Sequence, residues 1–142
     1  MITIKTLLVS FGLLLVSSAV LAQPPWQFKQ AVNVTNTVGK GIFHHLESAG
    51  RRNIAVSENQ VAIAWEDDRN GVPTIYVARK SRSDSGFNSE IKISGNGDAF
   101  EPGIVALSED RFVVVWEENE HVYTRIAGRD SLGAVIKLGD AL

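Results

Sequence analysis

IAVSENQVAIAWE at residues 54–66 returns as VALSEDRFVVVWE at residues 105–117, displaced by 51 residues throughout. Ala55/Ala106, Ser57/Ser108, Glu58/Glu109, Trp65/Trp116 and Glu66/Glu117 are identical between the two copies. Each copy reads as a short apolar strand, a Ser-Glu turn and a longer apolar strand closed by Trp-Glu. In an all-β pattern a period of this size fits a β-propeller blade, whose four strands and turns take up roughly 40–50 residues. The repeat therefore predicts an all-β fold of antiparallel four-stranded blades, with repeats at about residues 53–94 and 103–138.

Working outward, nine strands and no helix are expected, near residues 30–35, 53–57, 60–66, 74–80, 89–94, 103–107, 111–117, 121–126 and 134–138. Between them stand the residues that end strands, as in Asp68-Arg69-Asn70-Gly71 and Gly95-Asn96-Gly97-Asp98. The second strand of each repeat is apolar on both faces, as expected of one covered on both sides. The third, with Ile75 and Val77 opposed to Tyr76 and Ala78, is expected nearer the rim. Val32-Asn33-Val34, Ile91-Lys92-Ile93 and Ile136-Lys137-Leu138 share an apolar-polar-apolar pattern with one wet face. The strand at 30–35 is thus expected to be an extra outer strand of the kind that closes a propeller ring. Two blades make only a partial propeller. Either the chain is the N-terminal part of a longer one, or copies self-associate to complete it.

Residues 1–22 are expected to be a signal peptide, with Lys5 ahead of an apolar run at 7–15 and a small-residue stretch ending in Ala22. Cleavage after Ala22 would leave residues 23–142 secreted or periplasmic, with no remaining membrane segment. The absence of cysteine excludes a disulfide framework. Acidic residues number 16 against 14 basic ones, and the basic ones are scattered, so nucleic acid is not an expected partner.

AWEDDRNGVPTIYVARKSRSDSGFNSEIKIS, residues 64–94, resembles the repeats of sialidase-like propellers, the BNR or Asp-box group. There too a strand ends at Trp-Glu, an acidic Arg-Asn-Gly turn follows, and the next strand reads Ile-Tyr-x-x-Arg. The Asp boxes are degenerate: Ser83-Asp84-Ser85-Gly86 lacks the Thr and Trp of the family pattern, and Asp130-Ser131-Leu132-Gly133 departs further. The resemblance implies a propeller fold, and it makes Arg52, in Arg51-Arg52-Asn53-Ile54, a candidate binder of a substrate carboxylate. A guanidinium suits that task because its planar fork meets a carboxylate with two parallel hydrogen bonds. The family's nucleophilic tyrosine and its partner glutamate have no counterpart to carry over, so no catalytic residue is assigned.

One face of such a propeller gathers the loops that join fourth to first and second to third strands. It would present His44, His45, Asp67, Asp68, Arg69, Asp98 and Glu101 as ligand-binding candidates, with Glu118 and His121 beside them. Neighbouring histidines point apart in extended chain and no third ligand lies at a zinc-site spacing, so neither a metal nor a cofactor is expected. Two functions stay open on sequence. One is a non-catalytic module that binds a glycan, a protein or a surface ligand through its loop face. The other is the N-terminal part of a sialidase-like exo-glycosidase.

Overall fold

The computed structural model of the chain describes residues 30–37, 39, 41–45 and 52–141. Residues 31–142 form one compact unit, and the expected signal peptide lies outside the described residues. No helix among the described residues is long and apolar enough to cross a membrane. The described elements are all strands: β1 (His44–His45), β2 (Ile54–Val56), β3 (Gln60–Asp67), β4 (Thr74–Ser81), β5 (Ile91–Lys92), β6 (Ala99–Ala106), β7 (Phe112–Glu118), β8 (His121–Ala127) and β9 (Ile136–Asp140).

They build two antiparallel sheets, the first ordered β1-β3-β4-β5 with β2 also on β3, the second β6-β7-β8-β9. β1 pairs with Glu66 and Asp67, and β2 pairs with residues 61–63 of the same strand. The first sheet is therefore four strands wide, with its inner edge split in two. In the second sheet one strand, β6, fills both places and absorbs the mismatch in a bulge between Phe100 and Gly103. Glu101 at that bulge takes a left-handed backbone, φ 56°. The expected strand at 103–107 begins earlier for this reason: the bulge carries the ladder past Pro102 to Ala99.

The sheets pack face to face, and the alternation of side chains decides which faces meet. Ala55, Ala62, Ala64, Ile75 and Val77 of the first sheet meet Ile104, Phe112, Val114 and Trp116 of the second in one core. Counting by the 51-residue repeat, the buried residues of β3 (Ala62, Ala64) and of β7 (Phe112, Val114, Trp116) belong to opposite faces of their sheets. The contact is thus head-to-tail. The other face of the first sheet, with Trp65, Tyr76 and Ala78, is covered by Val34 and Phe87.

Three expectations change. Residues 30–37 form no strand: the Asn36 amide and the Thr35 hydroxyl donate to the Glu90 carboxylate, and the Thr37 amide donates back to Thr35 Oγ1 at 3.1 Å. These bonds tie the end of the stretch to the Glu90 side chain and to itself in place of a neighbouring strand. β4 is not near a rim but buried from Thr74 to Arg79, because Val34 and Phe87 cover the face that was expected to be open. β7 is fully buried on one side only, its Val113 and Val115 on the other being half-buried.

Candidate functional site

Each repeat ends its long strand in a Trp-x-acid clamp. Trp116 Nε1 donates to Glu118 Oε2 at 2.8 Å, and the Gly95 and Gly97 amides donate to the two oxygens of the same carboxylate at 2.9 Å. A Cβ on Gly95 would collide with the Glu118 carboxylate, so glycine is needed for the close approach. Burial pushes the Glu118 carboxyl up, but the indole and the two amides, aided by Lys92, outweigh it and leave the group below its ordinary range.

In the first repeat Trp65 Nε1 donates to Asp67 Oδ2 at 2.9 Å. Asp67 is fully buried, and Arg69 supplies it with a backbone amide at 3.2 Å and three guanidinium contacts at 2.5, 2.9 and 3.0 Å. Here too burial raises the carboxyl and the hydrogen bonds of Arg69 and Trp65 lower it further, for a net fall. The Arg69 guanidinium lies 4.0 Å from the Tyr76 ring centroid and donates to Thr37 Oγ1 at 2.7 Å.

Beside the second clamp the β7–β8 turn, the β6 start and the β9 end enclose an open cleft of about 650 Å³. Five carboxylates line it, those of Asp98, Glu117, Glu118, Glu120 and Asp140, with His121, Asn119 and the side chain of Phe100. Phe100 is substantially exposed, offering a ring to an apolar surface. His121 Nδ1 lies 2.8 Å from Asp140 Oδ1, and Lys137 Nζ lies 2.9 Å from the same oxygen. Hydrogen bonding and charge from Lys137, then from His121, hold the Asp140 carboxyl below its ordinary value. Asn119 and Glu120, the two turn residues, both have left-handed backbones at φ 51° and 63°. Among the described residues no arginine lines the cleft. Among the described residues, no group of three or more His, Cys, Asp or Glu is arranged to hold a metal ion.

At the opposite end a smaller cavity of about 360 Å³ lies against Arg79, Ser81, Asp84, Arg129 and Asp130, where the turns that follow β4 and β8 come together. Arg79 crosses from the first sheet to donate to the Arg129 carbonyl at 2.5 Å, while its Nη1 is buried without a partner. Desolvation pulls the Arg79 guanidinium below its ordinary value, although Asp130 acts in the opposite direction.

Of the residues singled out by sequence, Asp98, Glu118 and His121 come together in the cleft. Glu101 sits in the neighbouring bulge. His44 and His45 lie at the matching end of the first sheet, paired through backbone with Asp67 and Glu66. Asp68 Oδ1 accepts the Phe43 amide at 2.9 Å, holding the entrance to β1. Asp67 and Arg69 are tied into the clamp. Arg52 is exposed, and its carbonyl accepts the Ile104 amide at 2.7 Å, which places it between the sheets' inner edges. Sequence reasoning missed Phe100, Glu120 and Asp140, and with them Glu117. The run Glu117-Glu118-Asn119-Glu120 was the available signal for the second of these, a carboxylate-rich turn following an apolar strand.

Comparison with protein-family models, with curated proteins and with solved structures finds no match to this chain.

Proposed function

We propose that the chain is an exported, non-catalytic β-propeller-type module that binds a neutral or amino-bearing glycan in the cleft beside Glu118. The observation that carries this reading is the composition of the cleft: among the described residues, five acidic side chains, one imidazole and one exposed phenyl ring line it, and no arginine does. Carboxylate oxygens accept hydrogen bonds from sugar hydroxyls or from an ammonium group, and an aromatic ring accepts the apolar face of a pyranose. A sialoside or other anionic sugar would meet repulsion there. The left-handed backbone at Glu120 adds support, since a strained non-glycine residue at a pocket mouth is a common mark of function. The head-to-tail contact of the two sheets is the one that neighbouring propeller blades make, and it supports the propeller-type reading.

The competing reading, the N-terminal part of a sialidase-like exo-glycosidase, rests on Arg52. Neither Arg52 nor any other arginine among the described residues lines the cleft, and Glu118 is already committed to three hydrogen bonds. A glycan array, followed by calorimetry on whichever glycan binds, tests the proposal. Asp98→Asn with His121→Ala should weaken binding at least about tenfold, the loss of one or two charge-assisted hydrogen bonds. Exclusive binding of sialylated glycans, or hydrolysis of a fluorogenic sialoside that is abolished by Arg52→Ala, would overturn it.

A further inference from the structure

A buried positive charge on β4 is met by a neutral acceptor. Arg79 is 4% exposed, and its guanidinium gives Nη2 to the Arg129 carbonyl while Nη1 is buried without a partner. A desolvated cation held in this way costs stability unless a negative group meets it.

The fold does not require that charge. Register pairs Arg79 with Ala62 and Ile126 with Val113, and Val113 stands 51 residues after Ala62. The second repeat thus has isoleucine where the first has arginine. The first position is the more deeply covered, Ile126 being 39% exposed, so an aliphatic side chain would fill it better than a guanidinium does. What the arginine adds is a positive charge on the wall of the cavity between the turns that follow β4 and β8.

That cavity, about 360 Å³, is at the small end of the range for ligand sites. Gln60, Ser81, Ser83 and Asn88 give its wall amide and hydroxyl groups, and among the described residues no aliphatic or aromatic side chain lines it. Two carboxylates share the wall with Arg79 and Arg129. Asp84 is committed to its own turn: its Oδ2 accepts the Ser81 amide at 3.0 Å, and its amide donates to the Ser81 carbonyl at 3.1 Å. Asp130 is exposed, and it and Asp110 act on Arg79 through charge. These acids oppose a doubly charged anion and tolerate a singly charged one better. Ser83, Arg129 and Asp130 are exposed, and exposed side chains change rotamer rapidly, which opens a path to Arg79 for a small ion. A guanidinium binds a carboxylate with short, charge-assisted hydrogen bonds. We infer that this cavity is a binding site for a small, singly charged carboxylate, held between the guanidinium groups of Arg79 and Arg129 with the hydroxyl and amide groups of the wall around it. The site lies at the opposite end of the sheets from the cleft beside Glu118 and does not depend on what that cleft binds.

Calorimetry on the purified protein at fixed ionic strength gives the test, with acetate as the probe, acetamide as its uncharged counterpart and sulfate as a dianion. Acetate should bind saturably, one per chain, and acetamide and sulfate at least about tenfold more weakly, the loss of a charge-assisted hydrogen bond or the gain of a repulsion. Arg79→Met should weaken acetate binding at least about tenfold. Two variants at exposed positions keep the test open should Arg79→Met fail to fold: Arg129→Ala should weaken acetate, and Asp130→Asn should tighten it by removing a like charge while leaving the thermal melt without acetate unchanged. Asp98→Asn with His121→Ala, in the other cleft, should leave acetate binding as in wild type. No saturable acetate binding, equal binding of acetamide, tighter binding of sulfate, or indifference to both Arg129→Ala and Asp130→Asn would overturn the inference. So would a lower melting temperature in Asp130→Asn, which would show that Asp130 itself is the counter-ion of Arg79.

Discussion

Trp116 and Glu118 stand two residues apart on one face of β7, joined by an indole-to-carboxylate hydrogen bond of 2.8 Å, and Trp65 and Asp67 repeat the pairing on β3 at 2.9 Å. The two clamps differ by one methylene. Glu118 reaches the amides of Gly95 and Gly97 directly, tying the second sheet to the connection that leaves the first. Asp67 is shorter, and Arg69 links it to the equivalent connection at Thr35 and Thr37. An acid after Trp-Glu in each repeat is therefore an architectural part, which explains why the repeat keeps a carboxylate there in two chemical forms.

Removing Glu118 tests this role. Glu118→Ala orphans a buried indole and two glycine amides, and should destabilise the fold by about 3 kcal/mol, several unsatisfied donors at about 1 kcal/mol each. Urea melts of the two proteins measure it. A loss under about 0.5 kcal/mol would mean that water replaces the carboxylate at no cost, and that the clamp is not structural.

Acid should unfold the protein in a window set by these carboxyls. Glu90 is raised by partial desolvation, but hydrogen bonds from the Thr35 hydroxyl and nearby backbone amides outweigh this and bring it from 4.5 to about 2. Asp67 and Glu118 are also lowered. A group whose folded pKa is depressed contributes stability that is complete above its unfolded pKa and fades as pH falls toward the folded one. Stability should therefore be flat above about pH 5 and should fall between about pH 4.5 and 2. Glu90→Gln should shallow that fall in a thermal-melt series, and a slope identical to wild type would show that Glu90 is not held as described.

Two arginines should respond in opposite ways to the same change. Arg69 neutralises a fully buried Asp67, so Arg69→Met strips a buried carboxylate of its guanidinium partner and should cost about 3 kcal/mol. Arg79 is buried with a carbonyl for a partner and one nitrogen unsatisfied. Arg79→Met replaces a desolvated charge with an apolar chain of similar length, and should change stability by no more than about 1 kcal/mol in either direction. Equal losses in denaturant melts would show that Arg79 has an acceptor in solution that balances its charge.

The strands of the two repeats were legible in the sequence because apolar runs and turn residues alternate with the same spacing in both. Two features were not. Residues 30–35 carry the apolar-polar-apolar pattern of an outer strand, but that pattern is equally served by Val34 pressing on the Trp65 face while Thr35 and Asn36 bind a carboxylate 54 or 55 residues away. A bond of that range has no local trace. The early start of β6 depends on Glu101 taking a left-handed φ, which a glutamate does not advertise, and Phe100 was lost from the candidate site with it. On the site itself, the turn bearing Glu118 and His121 was placed by the repeat, whereas Asp140 enters the cleft from the far end of β9 by pairing that only the register reveals.

The β7–β8 turn offers a last test, because its two residues want different chemistry. A two-residue hairpin with both positions at positive φ favours Asn followed by Gly. This turn has Asn119 at φ 51°, which suits it, and Glu120 at φ 63°, which does not. Holding a side chain in the left-handed region costs roughly 1 kcal/mol. Glu120→Gly should therefore raise stability by up to about 0.5 kcal/mol, the relief of strain less the added freedom of the unfolded chain. It should also remove one of the five carboxylates facing the cleft, so the glycan bound by wild type should bind more weakly. A melt and a titration on the same variant give both readings. Greater stability with weaker binding assigns the strain at Glu120 to ligand recognition, whereas a loss of stability would show that the glutamate makes contacts worth more than its backbone costs.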